Sequence, residues 1–201
     1  MKKSILRKYA HLLATYGINV QKGQDVWIVS SVETAEFAAL CAEECYKAGA
    51  RKVLIDWSYQ PMTKLNVAYM EEKDLSTYDS FELAKWKYRA EKLPCMLYLD
   101  SEDPNGLDGV DVVKMGKGLQ ARRKKIKKLR DSMEGKDQWC IAGVPGKAWA
   151  KKLFPELSTS QAVEKLWEKI LQTSRVTEDP VASWKAHDED LKKRSSYLNG
   201  L

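Results

Sequence analysis

The feature that most constrains the fold is a run of four apolar residues, Val26, Trp27, Ile28 and Val29, which leaves neither face of a strand for water. Such a run suits the centre of a parallel sheet with helices on both sides. Helical spacing follows it: one apolar stripe is formed by Ala35, Ala38, Ala39, Ala42, Cys45 and Tyr46, and Gly49 is placed to end that helix. The apolar run 53–55 then predicts a right-handed crossover between parallel strands.

The same alternation continues along the chain. The predicted strands are 25–30, 53–55, 95–99 and 139–144, and the predicted helices are 5–16, 35–46, 61–69, 82–93, 110–133, 147–154, 159–171 and a last one from about 179. A barrel would need about eight such units. We therefore expect an α/β fold with a doubly wound, mainly parallel sheet of about four or five strands and helices on both faces. One sheet core should hold Val26, Ile28, Leu54, Leu97 and Ile141. The strand order stays open between the flavodoxin-like and the Rossmann-like arrangement.

Three groups of residues, in order along the chain, resemble a known family. The first is 16–26 (YGINVQKGQDV) with 48–53 (AGARKV) and 56–57 (DW). The second is 143–145 (GVP) with 148–150 (AWA) and 154–155 (FP), and the third is 179–184 (DPVASW) with His187, Leu191 and 197–199 (YLN). The ordered set spans almost the whole chain. It resembles the N-terminal region of the aminopeptidase T and aminopeptidase S family of metallo-exopeptidases.

The resemblance implies a function for a longer protein. The family cleaves amino acids from peptide N-termini with two divalent metal ions, of the zinc or cobalt type, and its Glu- and His-rich ligand segments belong to its C-terminal half. Nothing in this sequence matches those segments. We therefore expect 1–178 to form a non-catalytic N-terminal domain that supports or covers the active site, and 179–201 to form a helix leading toward a catalytic domain absent from this chain. The implied partners are a peptide substrate and that catalytic domain, and a homodimer of the full-length protein is compatible with the resemblance.

The residues themselves offer little chemistry for catalysis. The two histidines, His11 and His187, lie on the first and last predicted helices, and no motif pairs them. No serine nucleophile motif occurs, and the four cysteines fall in apolar segments where a free thiol behaves as a small hydrophobe. We assign no catalytic residue, no metal ligand and no cofactor to this chain. The absence of a signal peptide and of an apolar stretch of roughly 20 residues favours a cytoplasmic protein without a membrane partner.

Polar side chains follow the predicted strands where an open α/β sheet binds its ligands, beyond the carboxyl ends. The chain places Ser30 and Glu33 after the first strand, Asp56 after the second and Asp100 after the third. The acidic groups are suited to attract a peptide amine, and equally to cap neighbouring helices. These four residues are the candidate cleft-edge residues.

A basic run supports an alternative function. Seven cations lie within 122–130, without an acid among them: Arg122, Arg123, Lys124, Lys125, Lys127, Lys128 and Arg130. A free-standing basic α/β module that binds nucleic acid through this helix would explain the concentration. However, Met115, Leu119, Ile126, Leu129 and Met133 form an apolar stripe through the same segment, which indicates a solvated helix face. The run also has no aromatic residue for base stacking, so nucleic acid is the disfavoured partner.

Overall fold

The apolar strands assemble into one sheet. The computed structural model describes all residues from Met1 to Leu201. The strands are β1 (Asp25–Ser31), β2 (Lys52–Ser58), β3 (Cys95–Asp100) and β4 (Trp139–Gly143), in the order β2-β1-β3-β4. Every neighbouring pair is parallel. The predicted doubly wound α/β fold is therefore confirmed, and the strand order is the flavodoxin-like one.

β1 lies inside the sheet, between β2 and β3, because its apolar run offers no face to water. Val26 and Ile28 are fully buried, and Trp27 keeps only 5% of its surface exposed. Val26 lies opposite Val53 of β2 and Cys95 of β3. Since all strands run the same way, their carboxyl ends meet along a single edge of the sheet.

The helices follow the predicted order, with two additional short ones. They are α1 (Lys3–Leu12), α2 (Ala35–Lys47), α3 (Gln60–Tyr69), α4 (Glu72–Leu75), α5 (Ser80–Lys92), α6 (Val112–Lys125), α7 (Lys127–Met133), α8 (Lys147–Leu153), α9 (Thr159–Thr173) and α10 (Pro180–Leu198). One π-helical turn, Leu13–Gly17, extends α1, and a 3-10 turn, Val32–Thr34, precedes α2. Gly49 ends α2 with a φ of 105°. Its left-handed backbone and its close approach to Lys22, 3.1 Å from the position of an added β-carbon, both require glycine there.

The first face of the sheet carries the main core of 25 buried residues, drawn from α1, α2, α8 and α9 and from the sheet. Three rings join the helices of this layer. Tyr9 of α1 stacks on Phe37 of α2 with ring centroids 5.5 Å apart, and Phe37 meets the edge of Trp167 of α9 at 5.2 Å. Such aromatic pairs add about 0.5 to 1.5 kcal/mol each beyond the area that they bury.

The second face is covered less completely. Trp27 packs against Tyr88 of α5 at 5.8 Å, and Met96 and Met133 are buried on this side. At the outer strand β4, however, Trp139 and Ile141 are 60% and 62% exposed. The prediction that Ile141 belongs to the sheet core is therefore wrong. Side chains alternate along a strand, so Ile141 points away from the first face, where its neighbours Cys140 and Ala142 pack.

Asp25 ties α5 to the start of β1. Its side chain is buried, and its Oδ2 accepts hydrogen bonds from Arg51 Nη2 at 2.6 Å and from the Tyr88 hydroxyl. Burial alone would raise the pKa of the Asp25 carboxyl, but the hydrogen bonds from Tyr88 and Arg51 outweigh burial and lower it. Asp25 Oδ1 has no partner. The carboxylate therefore depends on these two donors for its stability in the fold.

The single long helix expected over 110–133 is wrong, because it is divided at Ile126 into α6 and α7. Ile126 leaves helical geometry, with φ −100° and ψ 4°, and its side chain is buried. α6 packs against α4, where Gly118 lies against Leu75, whereas α7 packs against α5. The segment thus bends so that each half can contact a different neighbour.

α10 folds back onto the N-terminal helix. Trp184 lies 6.3 Å from the Tyr16 ring, and its indole N–H donates to the Ser174 carbonyl at 2.8 Å. The Tyr16 hydroxyl donates to the carboxylate of Asp188, which also lies on α10. The final turns of α10, in contrast, are exposed. The boundary between 178 and 179 stays a prediction.

Candidate functional site

The loops after β1, β2 and β3 enclose a polar hollow at the carboxyl edge of the sheet, called here the carboxyl-edge cleft. Its volume is about 280 Å³, and it is lined by Ser31, Glu33, Ser58, Tyr59, Gln60, Pro61, Lys64, Ser101, Glu102, Asp103, Asn105, Gly106 and Ala148. A second hollow of about 440 Å³ adjoins it and adds Asp100, Pro104, Leu107 and Trp149 to the shared Gln60, Glu102 and Asp103. This is the edge at which open α/β sheets bind ligands.

The two predicted residues that follow β1 occupy different depths. Ser30 is 1% exposed, and its hydroxyl lies 3.0 Å from the Thr34 hydroxyl, so it fastens the turn that leads into α2. Glu33 is exposed and lines the cleft. Its backbone N–H donates to the Ser31 hydroxyl at 3.2 Å. The Glu33 carboxylate itself makes no hydrogen bond and no ion pair within the protein. Of these two, Glu33 is the one that can reach a ligand.

The other two predicted residues have different surroundings, although strand alternation gives both side chains the second face of the sheet. Asp56 lies on the second face, where its Oδ1 accepts a hydrogen bond from Lys85 Nζ of α5 at 2.7 Å, so it lies outside the cleft. Asp100 ends β3 and lines the adjoining hollow. Its Oδ1 accepts the Glu102 backbone N–H at 3.4 Å, a loop-capping contact. The structure thus brings Glu33 and Asp100 to the carboxyl edge, with Ser30 beneath it and Asp56 away from it.

Three residues that the sequence did not single out shape the cleft. The Gln60 side chain spans two loops, since it donates to the Asp103 carbonyl at 3.1 Å and accepts the Asp103 N–H at 2.8 Å. Ser101 is 6% exposed, and its hydroxyl oxygen has no partner within the protein. At Gly146 an added β-carbon would lie 2.1 Å from the Ser101 carbonyl oxygen. The only signals in the sequence for these contacts were the position of Ser101 directly after β3 and that of Gly146 soon after β4.

The cleft is more acidic than basic. Its charged lining residues are three acids, Glu33, Glu102 and Asp103, and one base, Lys64. Carboxylates on an exposed rim favour a positively charged group such as an ammonium. A buried hydroxyl without a partner offers a further hydrogen bond. The arrangement is therefore suited to hold a small polar cation by charge and by hydrogen bonds.

The histidines and cysteines lie elsewhere and have structural roles. His11 Nδ1 lies 3.2 Å from Glu44 of α2, and His187 Nδ1 lies 3.2 Å from Arg175 Nη2. Burial raises the pKa of Cys45 to about 12, and it raises the pKa of Cys41 as well. A thiol with so high a pKa is a poor nucleophile at neutral pH. No group of three or more His, Cys, Asp or Glu side chains is arranged to hold a metal ion.

Comparisons with known proteins identify the family. The model of the thermophilic metalloprotease (M29) family matches residues 2–201. The chain belongs to the M29 family. It is similar to aminopeptidase PepS of Streptococcus thermophilus, with 36% identity over 98% of this chain and 48% of PepS. It is also similar to aminopeptidase T of Thermus thermophilus, with 30% identity over 98% of this chain and 49% of that protein.

The solved structures agree with this assignment. Wild-type AmpT from Thermus thermophilus superimposes with a TM-score of 0.86 and 28% identity, over 98% of this chain and 49% of AmpT. The chain thus spans about half the length of the curated M29 relatives that it matches. The resemblance to the aminopeptidase T and S family is confirmed. None of the helices is long and apolar enough to cross a membrane.

The residues present do not fit the metal centre that a metalloprotease needs. A two-metal site requires several carboxylate and imidazole ligands that converge on one point. The acidic region at the carboxyl edge has no histidine in its lining. Two of its carboxylates instead accept loop N–H groups, Asp100 from Glu102 and Asp103 from Asn105. No catalytic step is therefore assigned to metals held by this chain.

Proposed function

We propose that this chain is the non-catalytic N-terminal domain of a metal-dependent aminopeptidase, which hydrolyses peptides at their N-termini. The observation that carries the proposal is the match of almost the whole chain to about half of relatives that are named aminopeptidases. On this proposal 1–178 is the α/β domain, and 179–201 leads toward a catalytic half that holds two divalent ions of the zinc or cobalt type. The full-length protein acts in the cytoplasm on peptides and is free to form a homodimer.

The carboxyl-edge cleft supplies the surface that supports or covers the active site. A peptide substrate carries an ammonium group at its N-terminus, and the carboxylates of Glu33 and Glu102 complement that charge. The free Ser101 hydroxyl is a hydrogen-bonding partner for a peptide group. On this view the catalytic half contributes the chemistry, and this chain contributes charge and orientation to the substrate.

One arm of the test uses the isolated chain and metal ions. Calorimetric titration with zinc or cobalt should show no stoichiometric binding with a Kd below about 1 μM, and leucyl anilide should not be turned over. These results are expected because no cluster of ligands is present. Tight stoichiometric binding or metal-dependent turnover would contradict the non-catalytic role.

The second arm asks whether the cleft recognises a peptide amine. Titration with Leu-Gly-Gly should shift the NMR amide signals of Glu33, Ser101 and Glu102, whereas the N-acetylated peptide should not, because it lacks the ammonium group. Glu102→Gln should weaken the response, and Glu156→Gln, which alters an exposed acid outside the cleft, should leave it unchanged. Equal responses to both peptides, or to both variants, would refute a cleft that reads the amine.

A further inference from the structure

The basic segment 122–130 divides into anchored and free cations. Arg122 Nη1 donates to the Thr77 carbonyl at 2.9 Å, Arg122 also pairs with Glu82, and its guanidinium lies 3.9 Å from the centre of the Tyr78 ring. Lys127 pairs with Asp131. The remaining five cations are exposed and make neither an ion pair nor a side-chain hydrogen bond: Arg123, Lys124, Lys125, Lys128 and Arg130. The structure thus leaves five uncompensated positive charges on α6 and α7.

One of these free cations, Arg130, lines a cavity of about 400 Å³, called here the tryptophan-arginine cavity. It is lined by Trp86 and Arg89 of α5, Tyr98 of β3, Arg130 of α7 and Trp139 of β4, with acids described below. Trp139 is 60% exposed, so much of its indole surface is free. The basic run has no aromatic residue of its own, but the fold brings aromatic rings to it from three other elements. The volume of the tryptophan-arginine cavity lies within the usual range for small-molecule sites.

Arg89 is held in place without a counter-ion. Its guanidinium lies 4.5 Å from the centre of the Trp86 ring, and its Nη2 donates to the Tyr98 hydroxyl at 3.2 Å. Its Nε is buried and has no hydrogen-bond partner, and no ion pair is formed. A guanidinium charge without a counter-ion favours an anionic ligand in the cavity, where charge-assisted hydrogen bonds are strong. With Arg130 nearby, the cavity presents two guanidinium groups.

Three acids also line the cavity and restrict the ligand further. Asp131 is neutralised by Lys127, whereas Glu134 and Asp137 have no ion-pair partner. Two free carboxylates disfavour a bare inorganic anion by repulsion. They can, however, accept hydrogen bonds from the exocyclic amino group of a base. The lining therefore favours a ligand that combines an anion, a planar ring and a donor.

The geometry points to a nucleotide site. The base stacks on the exposed face of Trp139, and Arg89 and Arg130 hold the phosphate. The ligand is a free mononucleotide or one unit of a single-stranded nucleic acid, since both present the same chemistry to the cavity. For a single strand, the free cations of α6 and α7 continue the contact along neighbouring phosphates. This site is separate from the carboxyl-edge cleft, because the two regions share no lining residue.

The test measures binding of adenosine monophosphate, inorganic phosphate and an oligodeoxyadenylate of about ten nucleotides, by calorimetry and by fluorescence anisotropy, at about 50 and 150 mM salt. Trp139→Ala should weaken nucleotide binding by about 5- to 150-fold, the range for loss of one base stack. Arg130→Gln should reduce the salt slope by about one. Trp57→Ala removes an exposed tryptophan far from the cavity, and Lys124→Gln removes a free cation outside its lining; neither should alter binding of the mononucleotide.

The pattern across ligands separates the two sources. Loss of mononucleotide affinity in Trp139→Ala supports the site with a free nucleotide as ligand, and loss confined to the oligomer supports it with single-stranded nucleic acid as ligand. No binding of either at about 1 mM overturns the inference. Binding that is unchanged in Trp139→Ala also overturns it, since this shows only an electrostatic surface. Because Trp139 is mostly exposed, its replacement should leave the fold intact, which circular dichroism checks.

Discussion

Two isoleucines, one inside the sheet and one at its margin, allow the contribution of burial to the free energy of unfolding to be measured. Ile28 of β1 is fully buried in the core of the first face, whereas Ile141 of β4 is 62% exposed on the second. The changes Ile28→Ala and Ile141→Ala remove the same atoms from strands of the same sheet. Any difference between the two variants therefore reports burial and not the chemistry of the substitution.

The expected magnitudes follow from burial. Each change removes three carbon atoms, and each buried carbon is worth about 0.8 kcal/mol in transfer free energy, so Ile28→Ala loses about 2.4 kcal/mol from this source. The cavity left between the sheet and its helices adds to the loss, because packed neighbours relax only in part. The free energy of unfolding should therefore fall by about 3 to 5 kcal/mol. Ile141→Ala should cost less than about 1 kcal/mol, since most of that side chain already contacts water.

Urea denaturation followed by circular dichroism gives both values from the midpoint and the slope of the transition. Equal slopes in the two variants would show that the denatured states are comparable. A loss below roughly 1 kcal/mol for Ile28→Ala would refute the placement of β1 in the interior. A loss above about 2 kcal/mol for Ile141→Ala would show that the outer strand is covered on its second face.

Two further outcomes concern the ends of the strands. The pKa of the Asp25 carboxyl is lower in the folded protein than in the unfolded chain, so the carboxylate stabilises the fold above the unfolded-state pKa. This contribution is lost as pH falls through the folded-state pKa. Asp25→Asn should therefore be clearly less stable than the unsubstituted protein at pH 7, and urea titrations should show the difference shrinking below about pH 4. Gly146→Ala should cost about 1 to 3 kcal/mol, because the added carbon meets the Ser101 carbonyl, whereas Gly116→Ala, with no atom within 4 Å of the added carbon, should be neutral or stabilising by the same measurement.

The fold could be predicted where local pattern and tertiary structure agree. The run at Val26 to Val29 predicted an interior strand correctly, because only burial on both faces accommodates four apolar residues in succession. Ile126 could not be recognised as a helix break, since neither glycine nor proline marks it and the break arises from packing against α4 and α5. Ile141 was misplaced for a similar reason. An apolar strand indicates burial, but only the strand order shows that β4 lies at the margin.

The candidate site could be predicted only in outline. The carboxyl edge was correctly expected to gather polar residues, since strand direction alone determines which loops meet there. Asp56 was predicted at this edge, but β2 continues to Ser58, and alternation turns Asp56 toward Lys85 on the second face. Gln60 bonds to Asp103 across 43 residues of sequence, and Ser101 is enclosed with Gly146 beside it. Contacts at such separations leave no local pattern in the sequence.

β4 connects the two candidate regions and also keeps them apart. Trp139 begins the strand and lines the tryptophan-arginine cavity, while Gly143 ends it at the carboxyl edge. Four residue steps of about 3.3 Å place about 13 Å between them. Substitutions more than about 7 to 10 Å apart that share no partner usually act additively. Trp139→Ala and Glu102→Gln should therefore act without coupling, so loss of nucleotide binding in one variant carries no information about peptide recognition in the other.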